Sequence, residues 1–433
     1  MNQLSRLNPA VGGGLGGLPT RSATATSSAV AIGSYVAPYV IPYSNSSFDT
    51  FMLKGNFIYR TDDVGGSNYS EGTIASKINK ATLEAERIFK IYSGNNFQDT
   101  AIAVSDNEQY ICIAGSKSSS ATGAVAPSIA VYDTLNKVFL KAGFYTIDTL
   151  SSTYLDSVSV FDDGSVTCSF NYQGNVYGNL VHIPDLNLTV PTTSKKPDST
   201  RRIEDMKTYN SELYFSAGNT IYKTDKTVAN ADKLQFQVAG GGLDIRFNIT
   251  QNGTILLAQT GYTSVATEEQ VFFCKVNSTF NGGISKYYHK VGADYGSMSF
   301  LEVSDNYVVC VAVDTINSNQ TLIILDNNLN LIKAIRTTGS FYELEVDNEN
   351  IYLLLATVTM AASMFVVPIA DLTADWLNIN TGYAAYSDDG GSMTNYTATY
   401  SATTAAVLGG DAPIDYSSAK PSAVALLNKG VQL

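Results

Sequence analysis

Over residues 46–384 the chain alternates apolar and polar positions with a period of two, interrupted at intervals by short Asp/Asn/Gly clusters. A period of two sends successive side chains to opposite faces of a strand, and Asx/Gly clusters supply tight turns, so each unit predicts a β-hairpin. The first is Phe51-Met-Leu-Lys-Gly55-Asn56-Phe-Ile-Tyr59. Equivalent turns fall at Asp106-Asn107, Asp162-Asp163-Gly164, Asn210-Ser211, Asn252-Gly253, Asp305-Asn306 and Asp347-Asn348, each between two apolar alternating runs.

A second hairpin follows each first one after a variable loop. Ile129 to Leu140 turns at Asp133–Asn136, Leu180 to Val190 at Asp185–Asn187, and Leu322 to Lys333 at Asp326–Asn328. The first repeat uses Ser76–Asn79 and Arg87–Ile91. The last uses Met364–Ile369 and Trp376–Ile379 as strands. Two hairpins make four strands per repeat, and successive first turns lie roughly 41 to 56 residues apart, the period of a propeller blade. A twisted four-stranded sheet cannot bury both faces alone; blades stacked around an axis can. The expectation is an all-β fold, a β-propeller of about seven four-stranded blades. One segment, Ala81–Ile88, has helical character, or is a turn entering a strand. The copies share spacing and character, not the Gly-His/Trp-Asp or double-glycine signatures of WD40 and kelch repeats. By architecture the chain resembles the β-propeller superfamily.

The flanks are different material. Residues 1–45 begin with a Gly-rich run and a Ser/Thr/Ala run that cannot order themselves by burial. Then comes Tyr35-Val-Ala-Pro38-Tyr39-Val-Ile-Pro42-Tyr43, whose prolines favour an extended conformation. It either closes the ring as a strand of the last blade or lies on a neighbouring subunit. Residues 385–433 form a tail poor in charge, docking on the propeller or on a neighbour, with Leu426 and Leu427 near its end. Tyr35, Pro38, Tyr39, Pro42, Tyr43, Leu426 and Leu427 are therefore the candidate interface residues.

Composition narrows the function. Charged residues are only 15% of the chain, against roughly 25% in ordinary soluble domains. The surface must then be built from Asn, Ser, Thr, Gly and Tyr. A net charge of −12 argues against nucleic acid or an anionic membrane as partner. The nearest basic run, Lys195-Lys196 with Arg201-Arg202, reads as a solvated loop between blades or a small anion patch. No apolar stretch reaches the roughly 18 residues of a membrane span, and Met1–Arg21 is no standard secretory signal.

Candidate chemistry is sparse. Cys112, Cys168, Cys274 and Cys310 sit in apolar strands without CxxC spacing, and His182 and His289 stand far apart, which reads as buried small hydrophobes in a reducing compartment. Ser387-Asp-Asp-Gly-Gly-Ser-Met-Thr394 partly resembles the Asp-box of sialidase-like propellers, departing at its final aromatic. Tyr287-Tyr288-His289 offers aromatic rings either to a sugar or to packing between blades. No catalytic, cofactor-binding or metal-binding residue is assigned, and no cofactor is expected.

The low Lys content, the Asn/Thr/Tyr/Gly-rich strands and the arm–propeller–arm plan resemble virion proteins of tailed bacteriophages, where propellers occur in tails and in surface decoration. The resemblance implies a non-enzymatic structural or assembly protein, made in the host cytoplasm and located in the virion. Its arms would hold other copies of itself or other particle subunits. The alternative reading is a glycan- or receptor-binding propeller, and the third a sialidase-like hydrolase.

Overall fold

A computed structural model describes residues 50–63, 73–82, 85–92, 97–118, 125–144, 153–172, 178–183, 193–196, 203–226, 228, 230–237, 245–262, 268–356, 362–382, 384–407, 409–411 and 422–425. Strands taken in chain order fill seven antiparallel sheets, the blades of a propeller. Blade 1 holds β1 (Phe51–Lys54), β2 (Phe57–Asp63), β3 (Thr73–Asn79) and β4 (Ala85–Tyr92). Blade 2 holds β5 (Phe97–Val104), β6 (Tyr110–Ser118), β7 (Val125–Asp133) and β8 (Val138–Phe144). In blade 3 are β9 (Thr153–Val160), β10 (Val166–Tyr172), β11 (Gly178–Ile183) and β12 (Thr193–Lys196). Blade 4 comprises β13 (Ile203–Tyr209), β14 (Glu212–Ala217), β15 (Thr220–Thr224) and β16 (Asn230–Gln237). Blade 5 comprises β17 (Arg246–Ile249), β18 (Ile255–Gly261), β19 (Gln270–Val276) and β20 (Ile284–His289). Blade 6 has β21 (Tyr295–Val303), β22 (Tyr307–Asp314), β23 (Asn319–Asp326) and β24 (Leu331–Thr337). Blade 7 has three strands, β25 (Phe341–Val346), β26 (Asn350–Ala356) and β27 (Ala362–Pro368), followed by helix α1 (Ala374–Thr381).

The core is divided among the blade boundaries. Seven apolar clusters each straddle two neighbouring blades, the last joining blade 7 to blade 1 through Tyr352, Leu354, Met364 and Val366 against Phe51, Ile58 and Ile78. This is why the middle strands read as continuous apolar runs. In β22, Val308, Cys310 and Ala312 face blade 5 while Val309 and Val311 face blade 7. Both faces of the sheet are buried, so period-two alternation assigns each residue to one of two cores. All four cysteines are free and buried in these clusters.

The first hairpin of every blade turns where the Asx/Gly clusters fall. Asx side chains replace backbone partners there: Asn107 Oδ1 accepts from the Gln109 amide (2.9 Å), and Asp347 Oδ1 from the Asn350 amide (2.8 Å). Gly253 adopts φ +83°, and a Cβ on it would stand 2.8 Å from Tyr209 Oη of the preceding blade. The same turns reach sideways. Lys54 pairs with Asp106 (2.6 Å), the Asn107 amide donates to Asp162 (2.8 Å), the Asn306 amide to Asn348 (3.2 Å), and Lys80 pairs with Asp347 (3.4 Å).

The tail runs back round the ring. β28 (Tyr386–Asp388) adds a fifth strand to blade 6, β29 (Ser392–Asn395) to blade 5, β30 (Thr399–Val407) to blade 4, β31 (Gly409–Asp411) to blade 3 and β32 (Ser422–Ala425) to blade 1. Each pairs antiparallel with a blade's outermost strand. The crossover from β28 to β29 is riveted by Asp389, whose side chain is almost fully buried. It receives the Tyr288 and Tyr295 hydroxyls, the latter at 3.2 Å, and pairs with Lys290 at 2.9 Å. Burial, followed by the Asp389 carboxylate, pushes both tyrosines well above the ordinary phenol value. The Asp-box-like segment is this crossover, so its acid is a structural rivet on the outer rim.

Two expectations need correction, and one open alternative is decided. Trp376–Ile379 is helical, not a strand: Thr373 Oγ1 accepts from the Trp376 amide (3.0 Å) as N-cap, Asp375 occupies the first turn, and Gly382 closes the helix in the left-handed conformation. Trp376 packs edge-on against Phe365, 5.9 Å between ring centroids. The Ala81–Ile88 segment is the turn alternative. Asn79 Oδ1 accepts from the Ala81 and Thr82 amides, and β4 starts at Ala85, its pairing with β3 overriding helical preference. Lys195-Lys196 belongs to β12, paired with β31, and is no loop; Arg201 and Arg202 lie outside the described residues, as do 184–192. No helix among the described residues is long and apolar enough to cross a membrane.

Two outcomes are expected. Asp389→Ala leaves Lys290 and two buried hydroxyls without their acceptor and should destabilise the fold by about 3–5 kcal/mol, measured by urea unfolding; a loss below about 1 kcal/mol would remove the rivet from the account. His182, buried on β11 beside Thr167 (2.9 Å to Nδ1), has its pKa pulled down to about 4, by burial first and by the Lys226 charge second. The unfolded chain therefore binds the proton more readily, and stability is lost as pH falls from about 6.5 towards 4. His182→Gln should flatten that limb of a Tm–pH profile, and an unchanged limb contradicts the assignment.

Candidate functional site

The innermost strands β1, β5, β9, β13, β17, β21 and β25 line an axial channel enclosing about 720 Å³. One side is bland, with Ala101, Ala103, Ser157 and Ser159 from β5 and β9. The other carries charge. Glu343 and Glu345 alternate along β25 with Leu344 and Val346, which enter the core between blades 6 and 7. Strand parity therefore puts both glutamates on the opposite face, and at the axis they interact with Glu302 of β21 and Lys207 of β13.

Glu302 is the hub. Its Oε2 accepts from Asn248 Nδ2 at 2.5 Å, its Oε1 lies 3.8 Å from Lys207 Nζ, and it shares a hydrogen bond with Glu345. Asn248 also donates to the Leu301 carbonyl (3.2 Å), which fixes its orientation. Beside them Arg246 Nη1 donates to Asp205 Oδ1 (2.9 Å), and the Phe247 amide to Asp205 Oδ2 (3.2 Å).

The carboxylates are crowded in a narrow channel, and burial raises all three glutamates above their ordinary pKa. In Glu302 the Lys207 charge works against that rise. Glu345 lies well above the usual range, through burial and then the Glu302 charge, so it holds its proton and donates to Glu302. Burial and then Glu302 push Glu343 up to about 8, with Thr50 as a hydrogen-bond partner. Burial pulls Lys207 down, yet Glu302, Glu345 and Asp205 together hold it above its ordinary value, as a cation. The cluster thus presents donors and acceptors side by side: a protonated carboxyl, an ammonium, an amide and an ionised carboxylate. Such a set can hydrogen-bond a polyhydroxylated or cationic ligand. Among the described residues no group of three or more His, Cys, Asp or Glu is placed to hold a metal ion.

The candidate interface residues Tyr35, Pro38, Tyr39, Pro42, Tyr43, Leu426 and Leu427 lie outside the described residues. Tyr287, Tyr288 and His289 sit on β20: Tyr288 is buried on Asp389, Tyr287 packs against Phe272 and Tyr396, and His289 Nε2 meets Ser392 Oγ at 3.0 Å. They fasten the tail to blade 5. The channel cluster was not anticipated. Its signal is present in Leu301-Glu-Val303 and Glu343-Leu-Glu-Val346, where carboxylates interrupt the interior of an apolar strand instead of occupying a turn.

No protein-family model matches the chain, and no curated protein matches it in sequence. Among solved structures it is similar to the polysaccharide lyase Uly1, with 9% identity, a TM-score of 0.43, and 76% of this chain and 92% of that one covered. It is also similar to the β-propeller domain of the Trilobed protease from Pyrococcus furiosus, described as having an open velcro topology (11% identity, TM-score 0.43, 74% and 96% covered). The acylaminoacyl peptidase of Pyrococcus horikoshii is a third (10% identity, TM-score 0.42), covering 76% of this chain and 51% of the peptidase.

A raised carboxyl pKa in the folded state contributes stability below about pH 4.5 that is lost as pH rises through about 8. Glu343→Gln should therefore gain stability relative to the parent from pH 5 to pH 9, with the two nearly equal at pH 5. Parallel Tm–pH curves would show that Glu343 is not held protonated.

Proposed function

We propose that this protein is a non-catalytic structural propeller, a rigid disc serving assembly, of the virion kind that its arm–propeller–arm plan resembles. The observation that carries the reading is the return of the tail as a fifth strand on blades 6, 5, 4, 3 and 1. A catalytic propeller needs a shaped channel; a disc that transmits load needs its blades tied together. Here one segment crosses successive boundaries and seals outer edges that would otherwise invite pairing with foreign strands. The channel charges are largely spent on one another, as in Asp205–Arg246 and Lys207–Glu302–Glu345. Partners are then other copies or other particle subunits, reached through the N-terminal arm.

The proton-sharing Glu302–Glu345 pair beside Lys207 favours a second reading, a binding propeller that takes a polyhydroxylated ligand such as a surface glycan into the channel.

Light scattering after size exclusion, on the full chain and on a chain lacking residues 1–30, tests the first reading; the tail is kept because the blades depend on it. The full chain should run as a multimer of its 46.4 kDa mass and the shortened chain as a monomer. Monomers in both cases, together with glycan-array binding abolished by Glu302→Gln, would replace the assembly reading with the second.

A further inference from the structure

We infer that the outer edge of β8 is a strand-docking site, and that its occupant is the stretch 412–421 that joins β31 to β32. The inference concerns the tail and does not rest on the assembly reading.

Of blades 1 to 6, only blade 2 receives no tail strand among the described residues. β31 lies on blade 3 and β32 on blade 1, so residues 412–421 must carry the chain past blade 2. Among the described residues nothing pairs with the outer edge of β8. The outward N–H and C=O groups of that edge need a partner, and a bare edge invites a foreign strand.

The spacing of the tail strands decides whether the connection can bypass the edge. The last residue of each fourth strand serves as a common mark. Thr337 of β24 stands opposite Tyr386, His289 of β20 opposite Ser392, and Gln237 of β16 opposite Thr399. Lys196 of β12 stands opposite Gly409, and Tyr92 of β4 opposite Ser422. Single blades are therefore crossed in six residues (386 to 392), seven (392 to 399) and ten (399 to 409). The step from blade 3 to blade 1 takes thirteen (409 to 422) and crosses two. Each of those two blades thus receives no more chain than in the shortest single steps, where the chain lies along the blade edge as a strand.

Fully extended, six or seven residues span only roughly 20 to 25 Å. A path looping outside β8 would be longer than one along its edge, and the connection has no length in reserve. The chain must run extended beside β8, in the direction it takes past the other fourth strands, which is antiparallel. β32 lies against β8 as well as β4, so the belt leaves blade 2 close to that edge. The same count gives the register. Six or seven residues forward from Gly409, or back from Ser422, bring Asp415 or Tyr416 opposite Phe144, the last residue of β8. Pro413 and Pro421, which have no N–H to give a ladder, flank this position and leave 414–420 free of proline.

Hydrogen exchange on the full chain tests the docking. In the parent, β8 amides facing away from β7 should be as protected as β4 amides facing β32. Tyr416 and Ser417 have opposite parity, so one of them turns its N–H to β8. Replacing both, Tyr416→Pro with Ser417→Pro, should speed exchange of those β8 amides at least about tenfold, while amides of β22, which report global stability, change less than about twofold. A second variant deletes Ser417 and Ser418, which keeps parity and shortens a taut belt; β4 amides facing β32 should then lose protection by a similar factor. β8 amides that are unprotected in the parent, or unmoved by the double proline, overturn the docking. Protection of β4 that survives the deletion shows a slack connection and removes the argument for the occupant. Protection of β8 that falls on dilution would give the edge to a neighbouring copy, which also overturns it.

Discussion

Apolar packing between neighbouring blades is the interaction on which everything else here depends. There is no central core: the axis is a polar channel, and each of seven boundaries buries its own cluster. The faces of every blade are therefore buried by its two neighbours, as in a repeat array, with the added condition that the array must close. The closing boundary carries the same kind of apolar cluster as the others, supplemented by Lys80–Asp347. A ring has no strong interior and weak end, because a fault at any boundary opens the whole circle.

The polar features follow from that arrangement. Turn residues that satisfy their own hairpins also touch a neighbouring blade, so Asn107, Asp163 and Asp347 each serve local geometry and ring continuity together. The inner strands converge on the axis, which forces charged side chains from β13, β21 and β25 into mutual contact. Their shifted protonation is a consequence of convergence: carboxylates tolerable singly on separate strands must share protons once the strands meet.

Period-two alternation with Asx/Gly turns made the hairpins and the repeat number readable because both are local properties. Asn252-Gly253 specifies a turn whatever surrounds it. Trp376–Ile379 misleads because a short apolar run fits a strand or a helix equally, and the Thr373 cap together with the Phe365 contact decides between them. The tail strands were hidden for a different reason. β28 and β31 have three residues each and gain order only from a blade distant in sequence. The channel cluster is similarly non-local: Lys207 and Glu302 belong together only once β13 and β21 face one axis, although the glutamates inside apolar strands mark the site.

The direction of the tail has a consequence for biosynthesis. β28 to β32 visit the blades in the reverse of the order in which those blades leave the ribosome. Of the five tied blades the most recently made, blade 6, is tied first and the oldest, blade 1, last. A nascent chain interrupted anywhere before Tyr386 contains blades but none of these ties. Synthesis of the tail is thus coupled to mechanical consolidation, and a chain that stops short of it is left with unsealed strand edges that chaperones and proteases read as incomplete.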